Sequence, residues 1–185
     1  MRFLSSKPFN LIVNNLIWIG CVIGREETIW IVGPLVIAYG AILIVRKTVR
    51  LEQIAIPAFI GIALDSILTL AGVFQFDNTF FLLPSWMIFL WIAFSSTLTS
   101  SLCLLGKRKI IASAVGCIGI PINYLAGEGL GAVTFGYSYL ATTIGLCFLW
   151  AICLPLLYFS TQVQFTKIRE FFKTRATDEL GVKIQ

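Results

Sequence analysis

Long apolar runs dominate the chain, and they alternate with short polar connections. Apolar runs of about 17–25 residues are typical of helices that cross the roughly 30 Å hydrocarbon layer of a bilayer. Runs of this kind lie at about 8–24, 28–45, 53–74, 80–105, 110–126 and 132–160. The pattern therefore predicts an all-α membrane protein with six transmembrane helices in one bundle and no separate soluble domain.

The positions of Lys and Arg predict how these helices are oriented. Cytoplasmic connections of membrane proteins carry an excess of basic residues. If the chain has six transmembrane helices, 13 of its 14 Lys and Arg residues lie at the chain ends or in the connections after the second and fourth helices. The exception is Arg25. These regions share one side of the membrane, so we predict that both termini are cytoplasmic.

The last segment, 161–185, mixes aromatic and basic residues. Phe and Ile alternate with Lys and Arg over 165–175, a pattern typical of a helix that lies on an anionic membrane surface. We predict a basic amphipathic cytoplasmic tail, and a helix that docks on a partner protein is the second interpretation.

Composition narrows the classes of function. Of 185 residues, 58% are hydrophobic and only 12% are charged, too few polar residues to cover a soluble domain. The net charge of +5 comes from the same Lys and Arg residues that orient the helices in the membrane. These residues do not indicate a binding surface for nucleic acid, so we expect no nucleic acid as a partner. The absence of histidine excludes His-ligated metals and His-based acid–base catalysis.

The five cysteines are spread along the chain without a C-x-x-C pair. An odd number of cysteines, without histidine companions, favours neither a metal site nor a disulfide framework. We interpret them as small buried apolar residues, and we expect no metal and no cofactor.

Asp65 is the one clear ionisable residue inside a predicted span. It lies about 18 Å from the cytoplasmic end of the third helix at 1.5 Å per residue, and no Lys or Arg lies at similar depth. Such a carboxyl is either protonated or held by amides and hydroxyls. It acts either as a contact between helices or as a proton, cation or ligand site.

The segment 116–131 is the most unusual part of the chain. Pro121 removes a backbone donor within the fifth predicted helix, and a glycine-rich turn follows. Interrupted helices at membrane depth build binding sites in transporters, although a proline-kinked helix with an ordinary loop has the same pattern. Together with Asp65, this segment supplies a candidate polar ligand site made of Asp65, Asn123, Tyr124 and Glu128. We assign no catalytic residue.

Three stretches resemble a known family. They are Leu64-Asp65-x-x-Leu68 with 70–76, Pro84-x-Trp86 with Leu90-Trp91-x-x-Phe94, and Tyr124-Leu-Ala-Gly127 with 130–132. In combination they are similar to an uncharacterised bacterial family of small inner-membrane proteins, which is catalogued only as a domain of unknown function. The resemblance extends from Asn10 to about Leu157.

The resemblance implies a multi-pass protein of the bacterial inner membrane. Genes of this family neighbour those for cyclopropane-type fatty-acyl modification and flavin-dependent oxidoreductases. This neighbourhood implies an accessory role in membrane-lipid modification, with membrane lipids and a lipid-modifying enzyme as partners. The oligomeric state stays open.

Three functions follow in order of preference. The first is a non-enzymatic accessory factor for fatty-acyl modification, the second a proton-coupled or small-molecule transporter that uses Asp65, and the third a lipid-active membrane enzyme. A lateral groove that faces lipid favours the first, and a continuous polar path from Asp65 to one membrane face favours transport. A tightly packed interior around Asp65 favours a purely structural role.

Overall fold

The structure is a computed structural model that describes residues 3–76 and 82–164. In that part of the chain its regular secondary structure is helical apart from two strands of two residues each, and turns connect these elements. The elements are α1 (Lys7–Val45), α2 (Leu51–Leu70), β1 (Phe74–Gln75), α3 (Ser85–Leu98), α4 (Lys109–Gly129), β2 (Thr134–Phe135) and α5 (Tyr139–Ser160). Of these, α1, α2, α4 and α5 are long and apolar enough to cross a membrane. The prediction of an all-helical membrane protein is confirmed at this level.

Helix α1 is folded back on itself at Arg25. The backbone there has φ 49° and ψ −134°, outside the helical region. The Tyr39 hydroxyl donates a hydrogen bond to the Leu4 carbonyl at 3.4 Å, whereas a straight helix would separate these residues by roughly 50 Å. The first arm (7–24) and the second arm (26–45) are therefore antiparallel, and they match two of the predicted segments.

Helices α2 and α4 end in the same way. Gly72 and Gly131 both have positive φ, at 73° and 70°. In each case the glycine N–H and the next backbone N–H donate to carbonyls of the last helical turn, which is the Schellman arrangement. The chain then turns into β1 or β2, and these strands pair antiparallel with Phe74 opposite Phe135.

This strand pair changes the start of the last helix. Residues 132–138, which we expected to be its beginning, instead form β2 and the turn around it, and α5 starts at Tyr139. The Ser138 hydroxyl accepts a hydrogen bond from the Ala141 N–H at 3.4 Å and caps α5. An apolar run does not distinguish a short buried strand from a helix, so the sequence placed this boundary too early.

Helix α3 is shorter than the predicted segment 80–105. It ends at Leu98, and turns lead from there to a short 3₁₀ helix at Leu105–Lys107. The hydroxyls of Ser96 and Thr97 donate to the carbonyls of Ala93 and Phe94 at 2.7 and 2.6 Å. Such side-chain bonds compete with the backbone of a helix, and here they lie in the last turn of α3.

Two pairs of elements form most of the packing. Helix α1 packs mainly on α3, and α4 packs mainly on α5. The buried Asn10 joins the first pair, because it donates to the Ser96 hydroxyl at 3.3 Å and accepts from the Ser101 hydroxyl at 2.7 Å. In the second pair Gly116 allows close approach, since a Cβ there would collide with the Trp150 carbonyl oxygen.

Two parts of the predicted organisation lie outside the described residues. One is most of the predicted basic tail 161–185, because the description ends at 164. The other is the beginning of the predicted segment 80–105, which falls in the gap between 76 and 82.

Candidate functional site

Asp65 joins three helices of the bundle. It lies on α2 about 21 Å from Leu51 at 1.5 Å per residue, and its exposed fraction is 1%. The Trp91 indole N–H of α3 donates to Oδ2 at 2.7 Å, and the Tyr124 hydroxyl of α4 donates to Oδ1 at 2.7 Å. Each carboxyl oxygen therefore has one neutral donor, and α2, α3 and α4 meet at this group.

Gly61 makes room for the Trp91 indole. It lies four residues before Asp65 on α2, so both positions are on the same face of that helix. The Trp91 ring covers Gly61 so closely that a Cβ there would collide with it. The ring lies flat against α2 and points its N–H at the Asp65 carboxyl.

Stacked aromatic rings hold both donors in place. Tyr124 stacks on Phe74 with ring centroids 5.0 Å apart, and on its other side Trp150 lies at 6.2 Å. Trp150 in turn stacks on Trp91 at 5.5 Å. Phe74 belongs to β1, so the strand pair helps to fix the position of the Tyr124 hydroxyl.

A cavity of about 270 Å³ lies beside Asp65, between the first arm of α1 and α4. Pockets that enclose a small ligand span roughly 300–1,000 Å³, so this cavity has room for a small molecule or for part of a longer one. Among the described residues that line it, Asp65 alone has an acidic or basic side chain, and the others are apolar, aromatic or amide. The lining residues are Leu11, Asn14, Asn15, Trp18, Val22, Asp65, Trp86, Met87, Leu90, Trp91, Phe94, Leu102, Val115, Gly119, Ile120, Asn123, Tyr124, Gly127 and Val133.

The cavity opens through the side of the bundle. Leu11 and Val115 on its rims are 42% and 37% exposed, and Asn15 and Asn123 are exposed although they lie well inside their helices. One rim is the first arm of α1, and the other rim is α4. These two helices belong to different packing pairs, because α1 packs mainly on α3 and α4 packs mainly on α5. A cleft remains between them, and within a membrane such a cleft faces the lipid chains.

Arg25 links the two rims at one end of the cleft. Its guanidinium Nη2 donates to the Leu130 carbonyl just after α4 at 2.8 Å. The neighbouring Glu26 carboxylate accepts the Ser85 N–H at the start of α3 at 2.6 Å. The turn of α1 is therefore attached to both α3 and α4.

The predicted site residues separate into two groups. Asp65 and Tyr124 are in direct contact, and Asn123 lines the same cavity. The Asn123 amide donates to the Gly119 carbonyl of its own helix at 2.7 Å rather than to Asp65. Glu128 is not among the lining residues, since it lies in the last turn of α4, beyond the cavity.

Trp91 and Gly61 were not predicted as parts of the site. Of the amide and hydroxyl donors expected for Asp65, the hydroxyl is present as the phenol of Tyr124, whereas the second donor is the Trp91 indole and not an amide. The spacing Gly61-x-x-x-Asp65 could have indicated an aromatic partner for Asp65. It places a glycine on the same helix face as the carboxyl, where a large ring can approach closely. Among the described residues, no cluster of three or more Asp, Glu, Cys or His side chains suits a metal ion.

The fold and the site together define a helical membrane protein with a buried acid beside an apolar cavity that opens sideways. The chain belongs to the family described as "Protein of unknown function (DUF2878)", which it matches over residues 7–156. The predicted resemblance is thus confirmed, and the stretches that carried it supply Asp65, Trp91 and Tyr124. No curated protein and no solved structure matches the chain.

Proposed function

We propose that this protein binds the chain of a membrane lipid in its lateral cavity and serves as a non-enzymatic accessory factor for fatty-acyl modification. Membrane lipids are then its ligands, and a lipid-modifying enzyme is its partner. The observation that carries the proposal is the apolar cleft between the first arm of α1 and α4. Residues on both rims of this cleft are exposed although they lie far from the ends of their helices.

The lining of the cleft supports an amphiphile as the ligand. Burial of apolar surface favours binding of hydrocarbon, and the aromatic walls offer a large contact area. The cleft runs along α1 from Leu11 to Val22 and along α4 from Val115 to Gly127, about 17 Å at 1.5 Å per residue. A lipid chain lying parallel to the helices fits such an elongated slot.

The site favours binding over catalysis. Asp65 has a hydrogen-bond donor on each carboxyl oxygen, and both donors are neutral side chains fixed by stacking. A nucleophile needs an adjacent base, and a hydrolytic pair needs two carboxyl groups or a metal. In the part of the lining that the structure describes, Asp65 is the only carboxyl group, and in this proposal it positions the walls of the cleft.

The proposed setting is the bacterial inner membrane, with six crossings and both termini in the cytoplasm. The two arms of α1 supply two antiparallel crossings, and α2, α4 and α5 supply three more. Helix α3 together with the turns that follow it to Lys107 supplies the sixth. In this arrangement the basic residues of the connections around Lys47 and Lys107 share the cytoplasmic side, as the positive-inside rule favours.

Photo-crosslinking tests lipid binding in the cavity. The purified protein is reconstituted in vesicles that contain a phospholipid with a photoactivatable diazirine in its acyl chain, and adducts are mapped by mass spectrometry. We expect adducts on Met87 and Trp91, which are only 4% and 6% exposed and line the cavity. Adducts on Phe148, which is 72% exposed, report ordinary contact with surrounding lipid.

Two glycine variants form a matched pair for this test. A Cβ at Gly119 would make an ordinary contact with Val115 at 3.6 Å, and one at Gly145 would meet nothing within 4 Å. Gly119→Leu fills the cavity, whereas Gly145→Leu adds the same side chain outside it. We expect Gly119→Leu to lose the Met87 and Trp91 adducts and to keep the Phe148 adduct. Unchanged adducts at Met87 in Gly119→Leu would contradict lipid binding in the cavity.

The link to fatty-acyl modification is tested in cells. Lipid mass spectrometry compares a deletion strain with strains complemented by the wild type, Gly119→Leu or Gly145→Leu. We expect an altered fatty-acyl composition that the wild type and Gly145→Leu restore and Gly119→Leu does not. An unchanged composition in the deletion strain would reject this link and would make transport the leading function.

A further inference from the structure

Arg25 places a cation at the end of the cleft where α4 ends. We infer that its guanidinium binds the phosphate group of a phospholipid whose acyl chain lies in the cleft. This inference rests on the proposed lipid binding, and it adds the class of lipid and the direction in which the lipid lies.

The guanidinium lies directly beyond the cavity. Val22 and Gly127 line the cavity on its two rims. Arg25 and Leu130 each follow three residues later, about 4.5 Å at 1.5 Å per residue, and the contact between them joins the rims. Phosphate groups of a bilayer lie just outside its hydrocarbon layer, at the level where membrane-spanning helices end. An acyl chain attached to a phosphate at Arg25 can therefore run along the cleft towards Leu11.

The guanidinium has hydrogen-bond donors to spare. A guanidinium carries several N–H donors, and the contact with the Leu130 carbonyl uses a single N–H of Nη2. Among the described residues no carboxylate forms a salt bridge with Arg25. The neighbouring Glu26 carboxylate instead accepts the Ser85 N–H at 2.6 Å. A phosphate suits the remaining donors, because guanidinium groups bind phosphate oxygens through paired N–H groups.

The backbone of Arg25 is a second, independent observation. Its φ of 49° and ψ of −134° lie in a region that favours glycine. A residue with a Cβ is strained there, and such strain clusters at positions where the side chain has a function. Glycine would serve the reversal of α1 without strain, so the presence of an arginine favours a binding role for its side chain.

Lys7 is a competing cation at the other end of the cleft. It lies one helical turn, roughly 6 Å, before Leu11 in the first arm of α1. Its exposed side chain has no hydrogen bond or salt bridge to another described residue, whereas Arg25 is held between the two rims. A cation that is already held in place loses less side-chain entropy on binding, which favours Arg25 as the phosphate site.

Photoactivatable lipids test the direction of the lipid in the wild-type protein. Two phosphatidylcholine probes carry the diazirine either near the ester or near the terminal methyl group of the acyl chain. Met87 and Leu102 both line the cavity, and Met87 lies towards Arg25 because Glu26 contacts the start of α3 at Ser85. We expect the first probe to favour Met87 and the second to favour Leu102. The opposite pattern would place the phosphate at the other end of the cleft and would overturn the inference.

A lipid without phosphate tests the guanidinium itself. Phosphatidylcholine is compared with a diacylglycerol that has the same diazirine chain, and adducts on Met87 are expressed relative to those on Phe148. Phosphatidylcholine has no net charge and its ammonium group donates no hydrogen bond, so the comparison reports the phosphate. Both lipids are compared within each variant, so a change in cleft width affects both.

We expect a roughly two- to fivefold preference for phosphatidylcholine in the wild type, as an exposed ion pair allows. Arg25→Gln should label equally with both lipids, whereas Lys7→Gln, which removes a charge at the other end, should retain the preference. Excess inorganic phosphate at constant ionic strength should leave the preference unchanged, because the phosphate of a bound lipid is held at the site by its own acyl chain.

The failure of this inference differs from the failure of the proposed function. A wild type without preference, or a preference that survives in Arg25→Gln or is lost in Lys7→Gln, would overturn the inference and leave lipid binding intact. Loss of the preference in inorganic phosphate would overturn it as well, since the site would then take free phosphate. Met87 adducts that are absent with every probe, or that persist in Gly119→Leu, would instead reject lipid binding in the cavity.

Discussion

At the residue scale, the Asp65 carboxyl is the point where three helices are joined by hydrogen bonds. Trp91 has only an N–H to offer, whereas the Tyr124 hydroxyl both donates and accepts. In this apolar environment a donor left without a partner costs roughly 1–3 kcal/mol, and the Asp65 carboxyl removes that cost for both side chains. The group therefore stabilises the bundle although it makes no ion pair with a Lys or Arg within 3–76 and 82–164.

Substitutions of Asp65 should separate the loss of the carboxyl group from the loss of its hydrogen bonds. In Asp65→Asn the amide oxygen accepts the Trp91 N–H and the amide N–H donates to the Tyr124 oxygen, so both contacts remain. In Asp65→Leu both donors lose their partner. We expect Asp65→Leu to lower the free energy of unfolding by about 1–3 kcal/mol and Asp65→Asn to change it much less, measured by denaturation in detergent micelles.

A double-mutant cycle provides the control for this prediction. Tyr124→Phe removes one donor, so its cost should be smaller in the Asp65→Leu background than in the wild type. Equal costs in both backgrounds would show that the hydrogen bond between Tyr124 and Asp65 contributes nothing to stability.

The sequence predicted the residues of this site only in part. Asp65 stands out because charge is rare in an apolar run, and Tyr124 because it follows Pro121 and Asn123 in an unusual segment. Trp91 does not stand out, because an aromatic ring within an apolar run does not break the hydrophobic pattern. Its role depends on the rotation of α3 relative to α2, which is decided by contacts between residues distant in the sequence.

At the element scale, glycines determine how closely the helices approach. Gly61 accepts the Trp91 ring, and Gly116 lets α4 approach the backbone of α5. Gly72 and Gly131 have a different role, because their positive φ ends α2 and α4 and starts the strands. Strand β1 places Phe74 in the aromatic stack. The position at which α2 ends therefore affects the geometry of the site.

Gly61→Ala should destabilise the protein although alanine favours helices. The added Cβ collides with the Trp91 ring, and overpacking of this kind costs typically 1–3 kcal/mol. Gly40→Ala in α1 is the control, since its Cβ would meet nothing within 4 Å. We expect a lower thermal midpoint for Gly61→Ala and an unchanged or higher one for Gly40→Ala, measured by circular dichroism.

A second measurement tests whether the Trp91 indole leaves the Asp65 carboxyl in Gly61→Ala. If Gly61→Ala pushes Trp91 off the carboxyl, then adding Asp65→Leu to Gly61→Ala should cost less than Asp65→Leu alone. Additive costs would mean that Trp91 keeps its hydrogen bond and that the added methyl group is accommodated elsewhere.

At the scale of the whole molecule, the reversal of the chain at Arg25 determines how the first arm of α1 lies relative to its second arm and to α4. It folds α1 into two antiparallel arms, and its guanidinium reaches the Leu130 carbonyl after α4. The first arm and α4 otherwise belong to different packing pairs. Arg25 therefore helps to set the width of the cleft at one end.

Arg25→Gly tests this role. Glycine adopts positive φ without strain, so the reversal of α1 is retained while the contact with Leu130 is lost. With spin labels at the exposed positions Leu16 and Ile118, we expect a longer or broader distance distribution in Arg25→Gly, measured by pulsed electron paramagnetic resonance. Glu27→Gln, an exposed change in the same turn, should leave the distribution as in the wild type. An identical distribution in Arg25→Gly would show that packing alone sets the cleft.

The proposed topology of six crossings is tested by cysteine labelling. In a cysteine-free background, single cysteines at the exposed positions Lys47 and Lys107 should react with a membrane-impermeant maleimide only from the cytoplasmic side. A cysteine at Thr134, which is also exposed, should react only from the opposite side. Labelling of all three positions from the same side would contradict six crossings.

The sequence by itself determined the class of this protein, because hydrophobicity and charge are local properties that set which segments enter a membrane. It also located Asp65, since a carboxyl in an apolar run is visible without a structure. The strand pair, the shorter α3, the indole donor and the lateral cleft were decided only by the tertiary structure. Each depends on which helix faces meet, and that is determined by packing and hydrogen bonding between residues far apart in the chain.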